Sequence, residues 1–236
     1  MTGGLGEDWL HVLRAVVAAG ADAVEVGVPF SDPVMDGPII QEASERALRG
    51  GATPDDIVAA LARADVGVPI AVMTYVNLVA HGGYRRFARL LADAGVSGAI
   101  VPDLPVDEAG EWLSEAGHAG IDTVLLAAPT TGPERLARIC RESRGFLYAV
   151  GRLGVTGERG EVASSAIEIA RRAKEATDLP VLVGVGVSNA EQAREICAVA
   201  DGVVVGSALI RRLLDGAGPD GAAEFVAELR DGIDGV

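Results

Sequence analysis

The chain has 236 residues, 49% of them apolar, and a formal net charge of −14. That length suits one α/β domain with a sizeable core, and the apolar content excludes a disordered chain. The acidic balance argues against nucleic acid or an anionic membrane as a partner, but it leaves room for a phosphorylated small molecule, because backbone N–H groups hold phosphate without lysine.

A helical pattern, EDWLHVLRAVVAAG (7–20), comes first, and the apolar run DAVEVGV (22–28) then predicts a strand. Thr53 and Pro54 read as N-cap and first residue of a helix, TPDDIVAALARA. Six further runs predict strands: VPIAVMTY (68–75), SGAIVPDLP (97–105), IDTVLLAAP (121–129), GFLYAV (145–150), LPVLVGVGV (179–187) and ADGVVVGSA (200–208). Helical patterns separate them: YRRFARLLADAG, VDEAGEWLSEAG, ERLARICRES, SAIEIARRAKEA and SNAEQAREICAVA. In the last, Ser188 and Glu191 stand at capping-box spacing. Runs so continuous suit parallel strands buried on both faces. The alternation predicts one domain over 1–236, either a (β/α)8 barrel or an open sheet. A closed barrel needs one strand more than these seven, and the opening MTGGLG reads as a loop leaving a strand end. The expectation is a barrel that lacks its first strand in this chain.

No apolar run approaches the roughly 20 residues of a membrane helix. The start shows neither a basic nor an apolar signal segment, and Cys140 and Cys197 read as buried thiols, so a cytoplasmic protein is expected.

Parallel α/β folds build their sites at strand C-terminal ends. Glu25 lies near such an end, inside an apolar run where a charge is costly. Facing inward it would lose solvent and carry a raised pKa, fit for proton transfer near neutral pH. Facing outward it would reach the rim under a helix, and spacing alone leaves the two open. The following loop, PFSDPVMDGP, is stiffened by three prolines. Asp32 and Asp36 are ordinary turn formers there, although Asp36 could complete an acid/base pair with Glu25. Glycine-bearing stretches follow the late strands: GRLGVTG (151–157), GVGVSNAEQ (184–192) and GSALI (206–210). The last two sit where barrels often hold phosphate. Lys174, on a charged helix, is the only lysine, so imine chemistry has no candidate. His11, His81 and His118 are scattered, His81 in an expected surface loop, and no metal constellation is visible.

The stretch EVGVPFSDPVMDGP, continued by IIQEASERAL, resembles the signature of the tryptophan synthase alpha subunit family. The likeness runs on in order through MTYVNLV, VPDLPVDE, GVTG, GVGVS and GSALI. It implies a (β/α)8 barrel that cleaves indole-3-glycerol phosphate to indole and glyceraldehyde 3-phosphate without cofactor or metal, in a heterotetramer with a beta subunit. By motif, Glu25 and Asp36 correspond to the catalytic carboxylates. Tyr75, Tyr148 and Thr156 match positions around the indole, and Thr156 also helps to place the aspartate. Arg152 and Thr156 fall on the family's loop that closes over substrate. Gly157, Gly186, Gly206 and Ser207 match the phosphate cradle, and Asp32, Pro33 and Asp103 match positions near the beta contact. The family's first strand is missing apart from MTGG, and GRLG replaces the more usual serine-bearing segment before VTG. A stand-alone lyase, or an impaired barrel that only activates a beta subunit, are the alternatives the sequence keeps open.

Overall fold

The computed structural model describes residues 1–151 and 164–235. Helix α1 (Trp9–Ala18) precedes β1 (Val24–Gly27), and α2 (Pro38–Arg49) and α3 (Pro54–Leu61) follow it. Next come β2 (Ile70–Met73), α4 (Val76–Gly82), α5 (Tyr84–Asp93), β3 (Gly98–Ile100) and α6 (Gly110–Ala119). After β4 (Asp122–Val124) and β5 (Leu126–Ala127) stand α7 (Pro133–Glu142), β6 (Leu147–Val150), α8 (Ser164–Ala176) and β7 (Val181–Gly184). Helix α9 (Ala190–Cys197), β8 (Gly202–Val203), α10 (Ser207–Leu214) and α11 (Gly218–Asp234) complete the order.

All pairings between these strands are parallel, in the orders β1-β2-β3-β4 and β5-β6-β7-β8. The fourth apolar run is one strand in expectation and two in the structure, interrupted at Leu125. Here the run hands its ladder from β3 to β6: Ile100 pairs with Val124, and Leu126 with Tyr148. The Leu125 carbonyl accepts from Tyr148 N at 3.1 Å and the Thr123 carbonyl from Arg144 N at 2.9 Å, so this run joins the two sheets. On the far edge of β1, Thr2 forms a parallel bridge with Gly27. Gly3 N donates to Gly27 O at 2.9 Å, and Gly27 N donates to Met1 O. Met1–Gly3 therefore occupies the strand position beside β1 that seven strands left open. The architecture is a (β/α)8 barrel.

Side-chain alternation fixes what faces the barrel interior. In β1, Val24 and Val26 are buried outward under the helices, while Glu25 and Gly27 face inward. The same parity in β2, β6 and β7 buries Ile70, Val72, Leu147, Ala149, Val181 and Val183, and turns Met73, Tyr148, Val150 and Gly184 inward. The outward positions and the helices' apolar faces make one continuous core.

Helix starts follow local chemistry. Thr53 caps α3, accepting from Asp56 N at 3.2 Å, with Pro54 in the first turn as expected. The cap of α9 is Asn189, one residue beyond the expected Ser188. Its side chain accepts from Gln192 N at 3.0 Å, and Gln192 Oε1 reaches back to Ser188 N at 2.8 Å. His81 lies in the last turn of α4 and not in a loop, because the segment after Tyr75 turns helical.

Candidate active site

A cavity of about 580 Å³ opens at the strand C-terminal ends. That is the size of a small-ligand site, and it lies where barrels place their chemistry. Glu25, Asp36, Tyr75, Asp103, Tyr148, Gly186, Gly206 and Ser207 all line it. Strand parity, which the sequence left undecided, puts Glu25 inside.

Glu25 Oε2 is buried without a hydrogen-bond partner. Desolvation raises the pKa of its carboxyl; the nearby α-amino group of Met1 opposes this, and Asp36 adds to it. That amino group donates to the Glu25 carbonyl at 2.6 Å. Tyr148 faces Glu25 from β6. Burial, then the Glu25 charge, holds its phenol in the protonated form.

Asp36 comes from the proline-stiffened loop between β1 and α2. Burial raises its pKa, but a hydrogen bond from Tyr75 works against the rise by favouring the ionised form. The two carboxylates therefore differ: one has an unpartnered oxygen in a desolvated strand position, the other is held by a phenol. Such a pair divides acid and base roles. Tyr75, 4% exposed, stacks on Phe30 with ring centroids 5.2 Å apart. Its hydroxyl also accepts from Met35 N at 3.1 Å.

The turns after β7 and β8 contribute to the wall of the same cavity. Gly186 adopts φ +80°, a conformation suited to glycine, in the turn after β7. Gly206 and Ser207 form the N-terminus of α10, which directs N–H groups at the cavity. Asp32 and Pro33 lie outside the cavity wall; Asp32 is exposed and accepts from the Ser31 hydroxyl at 2.7 Å. Asp103 is half-buried and its carboxylate is engaged by Val76 N at 2.9 Å. Arg152, Thr156 and Gly157 lie outside the described residues.

The sequence did not single out Ile40, Ser44 and Ile210 in the wall, nor Thr130, Thr131 and Arg135. Arg135 pairs with Asp107 of the β3–α6 connection at 2.7 Å. Thr130 and Thr131 lie in the loop between β5 and α7, so the rule that barrel sites gather on such loops was the signal available. Among the described residues no group of three or more His, Cys, Asp or Glu side chains is placed to hold a metal ion.

A parallel barrel with two unlike carboxylates and glycine-bearing turns around one cavity defines a barrel enzyme doing acid–base chemistry on a small ligand. Residues 5–230 match the profile of the tryptophan synthase alpha chain. The chain belongs to the tryptophan synthase alpha chain family. It is 46% identical over 232 residues to the tryptophan synthase alpha chain of Thermobifida fusca, covering 95% of this chain and 86% of that one. Identity to the alpha chain of Mycobacterium intracellulare is 50% over 208 residues, covering 88% and 77%. Among solved structures, Mycobacterium tuberculosis tryptophan synthase superposes with a TM-score of 0.92 at 43% identity, covering 99% of this chain and 90% of that chain. The alpha subunit from Legionella pneumophila also gives 0.92, at 31% identity, covering 100% and 91%.

Proposed function

We propose that this chain cleaves indole-3-glycerol phosphate to indole and glyceraldehyde 3-phosphate, the alpha reaction of tryptophan biosynthesis. The observation that carries the reading is the buried, unpartnered Oε2 of Glu25, set in one cavity with the phenol-held Asp36. Protonating the indole ring at C3 makes the ring its own electron sink, so the bond to the glycerol carbon breaks without lysine or metal. A neutral Glu25 donates that proton and takes one from the glycerol hydroxyl. Ionised Asp36 accepts from the indole N–H and stabilises the positive charge that develops there. Each proton-transfer role is worth roughly 10²–10⁴ in rate. Tyr148 stands beside the ring. Gly186, Gly206 and Ser207, with Gly157, hold the phosphate through backbone N–H groups, a task compatible with the acidic chain. Arg152 and Thr156, which lie outside the described residues, are assigned to substrate binding by the resemblance alone.

The domain is the single barrel of residues 1–236, and its working partner is a tryptophan synthase beta subunit that consumes the indole. Asp32 and Pro33 sit on its docking face. Among the described residues no helix is long and apolar enough to cross a membrane; we place the enzyme in the cytoplasm. The test is indole release from indole-3-glycerol phosphate by the purified chain, alone and with a beta subunit. Release in both arms, faster with the beta subunit, is expected. No release in either arm sinks the reading, and release that a beta subunit leaves unchanged identifies a stand-alone lyase.

A further inference from the structure

We infer that Tyr75 and Asp103 are positioning residues for Asp36, linked in a hydrogen-bonded relay from the loop after β3, through the start of α4, to the carboxylate loop. The inference rests on the role proposed for Asp36. Resemblance assigns Tyr75 to the indole pocket and Asp103 to the partner contact; the geometry adds a positioning role to both.

Tyr75 has little free surface to offer a ligand: it is 4% exposed and stacked on Phe30. Its hydroxyl accepts from Met35 N at 3.1 Å, and the phenol lies near enough to Asp36 to favour that carboxylate's ionised form. Met35 and Asp36 are neighbours in sequence. The phenol oxygen therefore holds the backbone of this short loop at the residue next to Asp36 and so fixes where the carboxylate stands.

Tyr75 is itself held. It is the N-cap residue of α4, with extended backbone (φ −93°, ψ 146°) and no side-chain cap of its own. A helix start needs acceptors for its first N–H groups. Asp103, from the loop after β3, takes the Val76 N–H at 2.9 Å. A carboxylate at a helix N-terminus is favoured twice over, by the hydrogen bond and by the helix dipole. The loop that carries Asp103 is anchored in turn through Asp107, which binds Arg135 at 2.7 Å and Arg138 at 2.6 Å. Displacing the β3 loop would move Asp103, then Tyr75, then Asp36.

The test uses the whole chain with Tyr75→Phe, Asp103→Ala and Asp103→Asn. Two readouts are taken: the pH profile of indole release, and ¹³C NMR titration of the Asp36 side-chain carboxyl, with thermal unfolding to confirm folding. Tyr75→Phe keeps the ring stack and loses the hydroxyl. It should lower kcat roughly 10–100-fold, the worth of a hydrogen bond to a charged group, with KM little changed. Because the lost bond favoured the ionised form, the Asp36 titration and the acid limb of the profile should both move to higher pH. Asp103→Ala should shift both in the same direction. Asp103→Asn keeps an oxygen for Val76 N–H and should restore most of the loss. A raised KM with an unmoved Asp36 titration in Tyr75→Phe overturns the relay and returns Tyr75 to ring contact. Equal damage from Asp103→Asn and Asp103→Ala overturns the link through Val76. If Tyr75→Phe does not fold, the Asp103 pair decides alone. Should the unaltered chain release no indole, the proposed function fails by itself, and the Asp36 titration still tests the relay.

Discussion

Glu25 is a carboxyl on the inward face of a strand, with a buried oxygen that nothing in the described structure satisfies. Its raised pKa has a consequence for stability as well as for rate. Below the ordinary glutamate value of 4.5 the side chain is protonated folded and unfolded, and its titration adds nothing. Above that value the unfolded chain ionises while the folded chain resists, so the folded state loses ground until pH passes the raised value. Glu25→Gln removes the titration. It should abolish indole release by roughly 10²–10⁴, and its melting temperature should exceed that of the unaltered chain at pH 8 while converging with it near pH 4. Melts that stay parallel across that range would show Glu25 to be unshifted. Gly184 makes a second residue-scale case. A Cβ there would stand 2.5 Å from Cε2 and 2.6 Å from the hydroxyl oxygen of Tyr148. Gly184→Ala must push the ring into the cavity, at a cost of ~1–3 kcal/mol. Denaturant unfolding should register the loss, and steady-state assays a raised KM. Wild-type values in both would mean that the ring moves freely.

At the scale of elements, two helix N-termini look alike in sequence and differ in purpose. In SNAEQ, both Ser188 with Glu191 and Asn189 with Gln192 have capping-box spacing, so spacing could not choose between them. The structure chooses Asn189, because Gln192 turns back to Ser188 N and Oγ. Asn189→Ala should cost about 1 kcal/mol in urea unfolding, and Ser188→Ala distinctly less; the reverse order would restore the sequence-based cap. At α10 the first helical residue is Ser207, its N–H directed at the cavity. Proline fits the first turn of a helix and removes only that donor and the hydroxyl. Ser207→Pro should therefore leave unfolding little changed and weaken binding of substrate, measured by calorimetry. Retained affinity would count against a backbone phosphate cradle. Strands and most helices were legible because each apolar run lies within a few residues of its neighbours in the pattern. The break at Leu125 was not, since it reflects a change of partner from β3 to β6. Glu25's direction was equally hidden, because both faces of a barrel strand read as apolar and only register shows which one meets Tyr148 and Gly184.

On the whole molecule, the features a local reading could not reach are the long-range ones: Met35 with Tyr75, Asp103 with Val76, Arg135 with Asp107. A long-range feature of another kind bears on the partner. Among the described residues Val34 is the only large apolar side chain standing free, 72% exposed. It rides on the same loop as Asp32 and Pro33, beyond the cavity wall, on a chain of net charge −14. An exposed valine on a stiff acidic loop is poised for burial against another surface. Burying it fully is worth about 1.5–3 kcal/mol, or at least tenfold in affinity. Val34→Asp replaces that gain with the desolvation of a further carboxylate. Its association with a beta subunit, followed by titrating activation of indole release, should weaken by at least about tenfold. Release by the isolated chain should stay near the unaltered rate, because Val34 does not line the cavity. An unchanged activation curve would move the docking face away from this loop. A matching fall in the isolated chain would mean that Val34 supports the Asp36 loop itself, so that docking a beta subunit there and setting the carboxylate would be one event.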